Sequence, residues 1–393
     1  MTPVDSTLLG RATWAVRLQF FVAGVLFASF GVHVPTIKQH YGLGEQALAI
    51  AMLAAGVGAV ATLTQAGRWV GKLGARRAAL LSGLATALCL GLLLSSQAYA
   101  LLLAVMVVFG VGTSLFDVSI NAAASELEQR AGRSLMSGFH GMFSLGGMVG
   151  AGLGSFLLSH EVAGATHLVG MAVLGGAAIV GGGMAMLRTI AGSDEKGGFE
   201  LPRGILALLG VLGALGLIAE GAMYDWSVLY MKQELSSEAS FAALAYASFS
   251  AAMAAARFGG DWVRERVSPA VLMSGSAALA AASMAAVLLI GHPVVALVGF
   301  ALVGLGFANV VPVLFSAAAK VDANPAHGIA VVASVGYLGM MAGPPLIGII
   351  AEHASLTLGL ATVSLFAGIL AVAAPRALRP AAPIGASAVS PPA

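Results

Sequence analysis

Long apolar runs alternate with short polar gaps along almost the whole chain, and twelve runs approach the ~20 residues that a helix needs to cross a hydrocarbon core. They lie near 15–36, 46–66, 78–96, 100–123, 136–158, 167–187, 204–225, 240–257, 269–290, 294–318, 328–351 and 355–374. The pattern predicts an all-α polytopic membrane protein with twelve transmembrane helices. An even number of crossings leaves both termini on one side of the bilayer. Glycine is frequent inside the runs, which suits membrane helices because small residues let backbones approach closely.

The cations are sorted by gap. Of nineteen Lys and Arg, only Lys38 and Lys232 depart from a single alternating set. That set holds Arg68/Lys72/Arg76/Arg77, Arg130/Arg133, Arg188/Lys196/Arg203, Arg257/Arg264/Arg266 and Lys320, with Arg11, Arg17, Arg376 and Arg379 at the ends. Positive charge is retained on the cytoplasmic side during insertion, so both termini are predicted to be cytoplasmic.

Composition agrees with a bilayer as solvent. Hydrophobic residues make up 59% and charged residues 9%, against about a quarter charged in soluble domains. The net charge of +2 hides the segregation, so the basic balance is no argument for nucleic acid. The lone cysteine, Cys89, excludes an intramolecular disulfide. The first run ends Phe30-Gly31-Val32-His33-Val34-Pro35 without a small-x-small cleavage pattern and is read as a retained helix. P-loop, His-x-x-x-His, paired-cysteine and Gly-x-Ser-x-Gly signatures are absent. No enzyme activity, cofactor or metal is therefore expected.

The longest internal polar gap, 188–203, contains Gly192-Ser193-Asp194-Glu195-Lys196-Gly197-Gly198 and follows the sixth run. It predicts a flexible cytoplasmic linker, 191–203, between an N-terminal bundle at 1–190 and a C-terminal bundle at 204–375. The Ala-, Pro- and Ser-rich tail, 376–393, offers no apolar face and is predicted to be disordered. The halves share weak internal matches. Gly67-Arg68-Trp69-Val70-Gly71 answers Ala256-Arg257-Phe258-Gly259-Gly260, Gly110/Gly112 answer Gly304/Gly306, and Leu145-Gly146 with Gly150 answers Leu338-Gly339 with Gly343. Duplicated bundles with a site at their interface characterise secondary transporters.

On these features the chain resembles the major facilitator superfamily over essentially its whole length. The loop after the second run is similar to the family signature Gly-x-x-x-Asp-Arg/Lys-x-Gly-x-Arg/Lys: Gly67, Lys72, Gly74 and Arg76 are in register, and Gly71 replaces the aspartate. The resemblance implies two pseudo-symmetric six-helix bundles and a gating loop made of Gly67, Lys72, Gly74, Arg76 and Arg77. Its degenerate second copy contains Arg257 and Asp261. The missing aspartate departs from the usual charge-relay form of the clamp, and the cations are left helix C-terminal carbonyls or Asp261 as partners. Asp117-Val118-Ser119-Ile120-Asn121, Phe139 to Gly147, and Glu220 to Ser227 are similar to bacterial inner-membrane proteins loosely related to the fucose/proton symporter. This implies an inner (plasma) membrane location. The fourth run lacks the arginine, and the fifth the full Gly-Pro motif, of many drug/proton antiporters.

Ionisable residues inside the runs are the candidates for function. A carboxylate at the position of Asp117 costs roughly 2.5 kcal/mol or more to insert, so it must face protein or water. Thr113 and Asn121 share its helix face at one turn's spacing. With the fourth helix leaving the membrane near Glu126 and the fifth entering near Ser134, Asp117 and His140 lie at similar depths, roughly 13 Å and 9 Å. Such a carboxylate and imidazole oppose each other's proton affinity, which suits proton exchange near neutral pH. A purely structural hydrogen-bonded pair is the equal alternative for His140.

Glu220 in the seventh run and His33 in the first occupy nearly corresponding places on the two helices that, by the resemblance, gate the transporter. Asn309 answers the Asp117/Asn121 stripe from the tenth run; a helix-to-helix hydrogen bond of about 0.6 kcal/mol is its alternative role. Asp225 falls at the outer boundary of the seventh run and reads as a solvated charge, with Tyr224 and Trp226 as belt aromatics.

The sequence therefore predicts a monomeric, proton-coupled or facilitative transporter of a small organic solute working by alternating access. Asp117, Glu220 and His140 are its proton-coupling candidates, and Asn121, Asn309, His33 and Thr113 its substrate-binding candidates. The alternatives are proton-driven efflux of amphipathic compounds and a transport-inactive sensor. The shortage of buried cations argues mildly against a dianionic substrate.

Overall fold

The computed structural model describes residues 6–132, 135–187, 203–264, 266–321 and 325–378. The expected linker, apart from Arg203, and the tail beyond 378 lie outside the described residues. Within them the chain forms α1 (Ser6–Val32), α2 (Val34–Tyr41), α3 (Glu45–Leu73), α4 (Ala75–Leu92), α5 (Tyr99–Ala131), α6 (Met136–Ser159) and α7 (Gly164–Ala185). The second part forms α8 (Gly204–Gln233), α9 (Ala239–Arg264), α10 (Pro269–Ile290), α11 (Pro293–Phe307), α12 (Val310–Val321), α13 (Pro325–His353) and α14 (Leu356–Ala377). Twelve units are long and apolar enough to cross a membrane. Helix α2 is a short addition to the first, and α11 with α12 forms one crossing interrupted at Ala308 and Asn309.

Several helices outrun the apolar stretches that announce them. Helix α5 continues to Ala131, α8 to Gln233 and α9 to Arg264. Hydropathy reports where side chains turn polar, whereas each buried backbone N–H and C=O still needs a partner and the helical ladder supplies it. These extra turns change the assignments of Arg257 and Asp225 below.

The start of α1, the ends of α3, α5, α7, α9, α12 and α14 and the starts of α4, α6, α8, α10 and α13 share one face, the terminal face. The α2–α3, α4–α5, α6–α7, α8–α9, α10–α11 and α13–α14 connections lie on the opposite face. Between α3 and α4 stands a single residue, Gly74, at φ +77°, a conformation that L side chains rarely adopt.

The internal sequence matches do equivalent structural work in the two halves. A Cβ on Gly110 would overlap the Ala55 carbonyl of α3, and one on Gly304 would overlap the Phe249 carbonyl of α9. Gly112 and Gly306 likewise stand against Thr86 of α4 and Ala280 of α10. Gly146 meets the Phe21 backbone of α1, as Gly339 meets the Ala214 backbone of α8. Each glycine permits a backbone approach that a methyl group would prevent, which is how helices gain packing energy where lipid is as apolar as leucine.

The halves meet along two seams, α6 with α9 and α3 with α13. The first runs the length of the helices: Ser155 Oγ donates to Ser240 O at 2.7 Å near the opposite face, and Gly141 faces the Phe258 ring near the terminal face. The second is confined toward the opposite face, where Gly348 abuts Ala49, Gly56 abuts Met341, and Gln46 N donates to Glu352 Oε2 at 3.1 Å. Toward the terminal face α13 packs on α8 instead, through Val335 on Gly210 and Val332 on Gly213. Helix α5 and the α11–α12 pair do not pack on each other among the described residues.

Lys38 of α2, one of the two misplaced cations, pairs with Glu45 of α3. With its amide turned to suit both, Gln233 of α8 donates to that carboxylate at 3.2 Å and accepts from the ammonium. Among the described residues, the two seams and this cluster thus join the halves at the opposite face, and α6 with α9 joins them toward the terminal one.

Candidate functional site

Helix α9 continues seven residues past Arg257, so this cation sits about 10 Å inside the helix and not in a surface loop. Its Nη2 donates to Glu220 Oε1 of α8 at 3.1 Å, and its Nη1 donates to Ser144 Oγ of α6 at 2.8 Å. Ser144 in turn donates to the His140 carbonyl at 3.4 Å. The two charged side chains are only 15% and 12% exposed. One guanidinium therefore joins α8 and α9 of the C-terminal half to α6 of the N-terminal half. The sequence assignment of Arg257 to a gating loop is corrected, as is the shortage of buried cations. Both errors came from ending the eighth run at the first charge.

Asp117 pairs with its own helix. Asn121 Nδ2 donates to Asp117 Oδ1 at 3.0 Å and to the Asp117 carbonyl at 2.9 Å. Thr113 Oγ1 bonds back to the Phe109 and Gly110 carbonyls, so its hydroxyl is satisfied within α5. The expected meeting of Asp117 with His140 does not occur. With α5 extending to Ala131 and α6 starting at Met136, Asp117 is about 21 Å along its helix from the terminal face and His140 only about 6 Å. Helix α1 also packs against both α5 and α6, which barely touch each other. The His140 ring meets Phe20 edge-on at 5.4 Å and lies within electrostatic reach of Arg257, so it belongs with the other cluster.

Tyr337 of α13 lies on the helix that packs against α8. Its phenol lies within electrostatic reach of both Asp117 and Glu220. No sequence signal singled it out, because one tyrosine in a Gly- and Val-rich helix reads as packing. Asp225 also changes place. Helix α8 runs eight residues beyond it, so the carboxylate is about 12 Å inside that end of the helix and is not a boundary charge.

These features match a known architecture. The model of the Major Facilitator Superfamily matches residues 18–344. The chain belongs to the Major Facilitator Superfamily. An uncharacterized MFS-type transporter of Yersinia pestis is 34% identical over 361 residues, covering 92% of this chain and 94% of its own length. The solved nucleoside transporter NupG superposes with a TM-score of 0.71 at 12% identity, covering 95% of this chain and 100% of that one. A variant of the Escherichia coli fucose:proton symporter superposes with a TM-score of 0.65 at 16% identity, covering 94% and 98%. The fold is that of a twelve-helix MFS transporter with two pseudo-symmetric six-helix bundles.

Other candidates fall away from the centre of this MFS protein. His33 is fully buried at the α1–α2 junction, with Nε2 2.8 Å from His167 Nδ1 of α7 and Nδ1 3.1 Å from Thr36 Oγ1. Among the described residues its hydrogen-bond partners belong to the N-terminal half, which corrects its expected place on the gating surface. Asn309 is buried at the α11–α12 break, its Oδ1 against Gly260 of α9, where it packs helices together. Gly67, Lys72 and Arg77 are exposed at the terminal face, and Arg76 is half-buried. Asp261 lies on α9, and its side chain is outside the described residues. A groove of about 1120 Å³ between α10 and α14 is on the outer wall and shares no residue with the site.

Proposed function

We propose that this protein is a proton-coupled secondary transporter of a small organic solute, captured with its solute path open to the cytoplasm. The single observation that carries the reading is the Glu220–Arg257 ion pair, buried inside the membrane and tied to Ser144 of the other half. A carboxylate inside a span that exchanges protons can alter this pair, and the pair touches both bodies that must rock against each other. The distribution of cations supports a cytoplasmic terminal face in a plasma (inner) membrane. With the opposite face closed by Lys38, Glu45, Gln233, Gln46 and Glu352, this is an inward-open state. Solute enters between Asp117/Asn121 on one wall and Tyr337/Glu220 on the other. The nucleoside and fucose transporters of the same fold make nucleosides and sugars the first solutes to try.

Thermal-shift screening of the purified protein against nucleosides, sugars, amino acids, organic acids and cationic drugs should reveal a binder, since a bound solute stabilises the folded state by mass action. With that solute in proteoliposomes, Asp117→Asn and Glu220→Gln are each expected to reduce proton-driven accumulation at least about tenfold, equivalent to ~1.4 kcal/mol. Counterflow exchange, which needs no net proton movement, should persist. Undiminished uphill uptake by either variant removes that carboxylate from coupling. Binding without flux in the parent protein would instead favour a sensor.

A further inference from the structure

The proton-coupled reading leaves two buried histidines without a task. His33 stands between α1 and α2, and His167 lies in the first turn of α7; both are buried. Their rings meet edge-on with centroids 5.0 Å apart, and His33 Nε2 is 2.8 Å from His167 Nδ1. His33 Nδ1 is 3.1 Å from Thr36 Oγ1 of α2. The fourth ring nitrogen, His167 Nε2, is buried with no hydrogen-bond partner among the described residues. The fit around the rings is close. A Cβ on Gly164 of α7 would lie 3.1 Å from His33 Nδ1, and one on Gly154 of α6 would lie 3.2 Å from His167 Cε1.

The pair anchors the helix that carries Lys38. The His33 carbonyl accepts from Ile37 N at 2.8 Å, and Pro35 sets the first turn of α2. Lys38 lies five residues beyond His33, about 7.5 Å along the helix, and meets Glu45 and Gln233 where α2 packs on α8 of the other half. One end of α2 is therefore fixed to α7 by the histidines, and the other end helps to join the halves. Other titratable groups on the surrounding elements are engaged elsewhere: His40 with the Ser96 carbonyl, Tyr41 with the Leu93 carbonyl, His160 with the Phe156 carbonyl and Glu234 with Leu356 N. Glu161 is exposed in the α6–α7 connection. Among the described residues neither His33 nor His167 forms an ion pair with a carboxylate.

We propose that His33 and His167 form a proton-sensitive clasp that releases α2 when the solvent at the opposite face turns acidic. The rings begin neutral, with His167 Nδ1 donating to His33 Nε2 and His33 Nδ1 donating to Thr36 Oγ1. A proton from that solvent binds the lone pair of His167 Nε2, and the pair gains one positive charge. With no carboxylate paired to it, this charge needs water to be held. The enclosed rings meet water when α2 lifts from α7, so proton uptake and lifting favour each other. Lys38 leaves Gln233 with the moving helix, which weakens the cluster that joins the halves. The two histidines act through α2 as positioning residues. The clasp rests on the rocking of two halves in the reading above, and not on the roles given there to Asp117 and Glu220.

The test needs no solute. Spin labels are attached at Gln39→Cys on α2 and Glu238→Cys before α9, both exposed positions, in full-length Cys89→Ser protein in lipid nanodiscs. Pulsed electron resonance compares their separation at about pH 8 and about pH 5, on either side of the ordinary histidine pKa. The ratio of long to short separations should rise about fivefold or more at the lower pH, as for a coupling between two sites. His33→Gln and His167→Gln keep a hydrogen-bonding side chain that takes no charge, and each should hold the short separation at both pH values. A response to pH that survives in both variants overturns the clasp. So does a parent protein without any response although Gly348→Leu, a wedge in the α3–α13 seam, lengthens the separation. Glutamine variants that show the long separation at every pH reduce the pair to a structural contact and overturn it too. If those variants do not fold, nitrogen-15 resonances of the parent's histidines decide: the two rings must titrate together over the range in which the separation changes, and titration outside that range overturns the clasp. No response to pH with uphill uptake intact means that the clasp alone has failed. A response in a protein that never accumulates solute against its gradient leaves the clasp standing and sinks the transport reading.

Discussion

Arg257→Met is expected to destabilise the folded protein by about 3–5 kcal/mol, the cost of leaving one buried charge without its partner. The variant strands the Glu220 carboxylate in a site where Arg257 is its ion-pair partner. Glu220→Gln should cost less, because an amide oxygen still accepts from the guanidinium, and Ser144→Ala about 1.5–3 kcal/mol, the range for a hydrogen bond to a charged group. The double variant Arg257→Met/Glu220→Gln should be more stable than the sum of the singles predicts, by roughly 0.5–3 kcal/mol of interaction energy. The loss in Arg257→Met alone should shrink at low pH, where protonation of Glu220 removes the unpaired charge. Equilibrium unfolding in mixed micelles at several pH values measures all of these. Additive singles would mean that the 3.1 Å pair carries no coupling.

Gly348→Leu should move the conformational equilibrium away from the closed opposite face. A Cβ at Gly348 would overlap the Ala49 side chain across the α3–α13 seam, and a leucine has no room there while the seam stays shut. Overpacking of this kind costs about 1–3 kcal/mol, which converts to a roughly 5- to 150-fold shift in population at ~1.4 kcal/mol per decade. The chain's single cysteine makes the measurement direct, because Cys89→Ser leaves a cysteine-free background. Met52, buried on the same face of α3 between Ala49 and Gly56, is the reporter position. Met52→Cys should resist a membrane-impermeant maleimide from the opposite face and become labelled when Gly348→Leu is added. Equal labelling with and without the wedge would show that this seam does not open.

Much of this molecule was legible in the chain. Membrane helices must satisfy their own backbone and show apolar side chains to lipid, so twelve runs reported twelve crossings. The glycine matches between halves also held, because a close backbone approach admits no side chain: Gly110 and Gly304, or Gly146 and Gly339, are fixed by the same steric demand. Depth was less legible. Lys38 breaks the charge pattern in the sequence, and the partners that hold it, Glu45 and Gln233, come from two other helices.

By itself, then, the sequence determined the number of crossings, the duplication and the sidedness of the charge, all of which follow from each residue's local preference for lipid or water. Only the tertiary structure decided which ionisable groups meet. It moved Arg257 from loop to site, separated Asp117 from His140 and put Asp225 well inside its helix. Those outcomes depend on how far each helix continues past its apolar run and which helix lies between two others. Hydropathy averages over both, because a side chain's preference for lipid or water does not say which partner it will find.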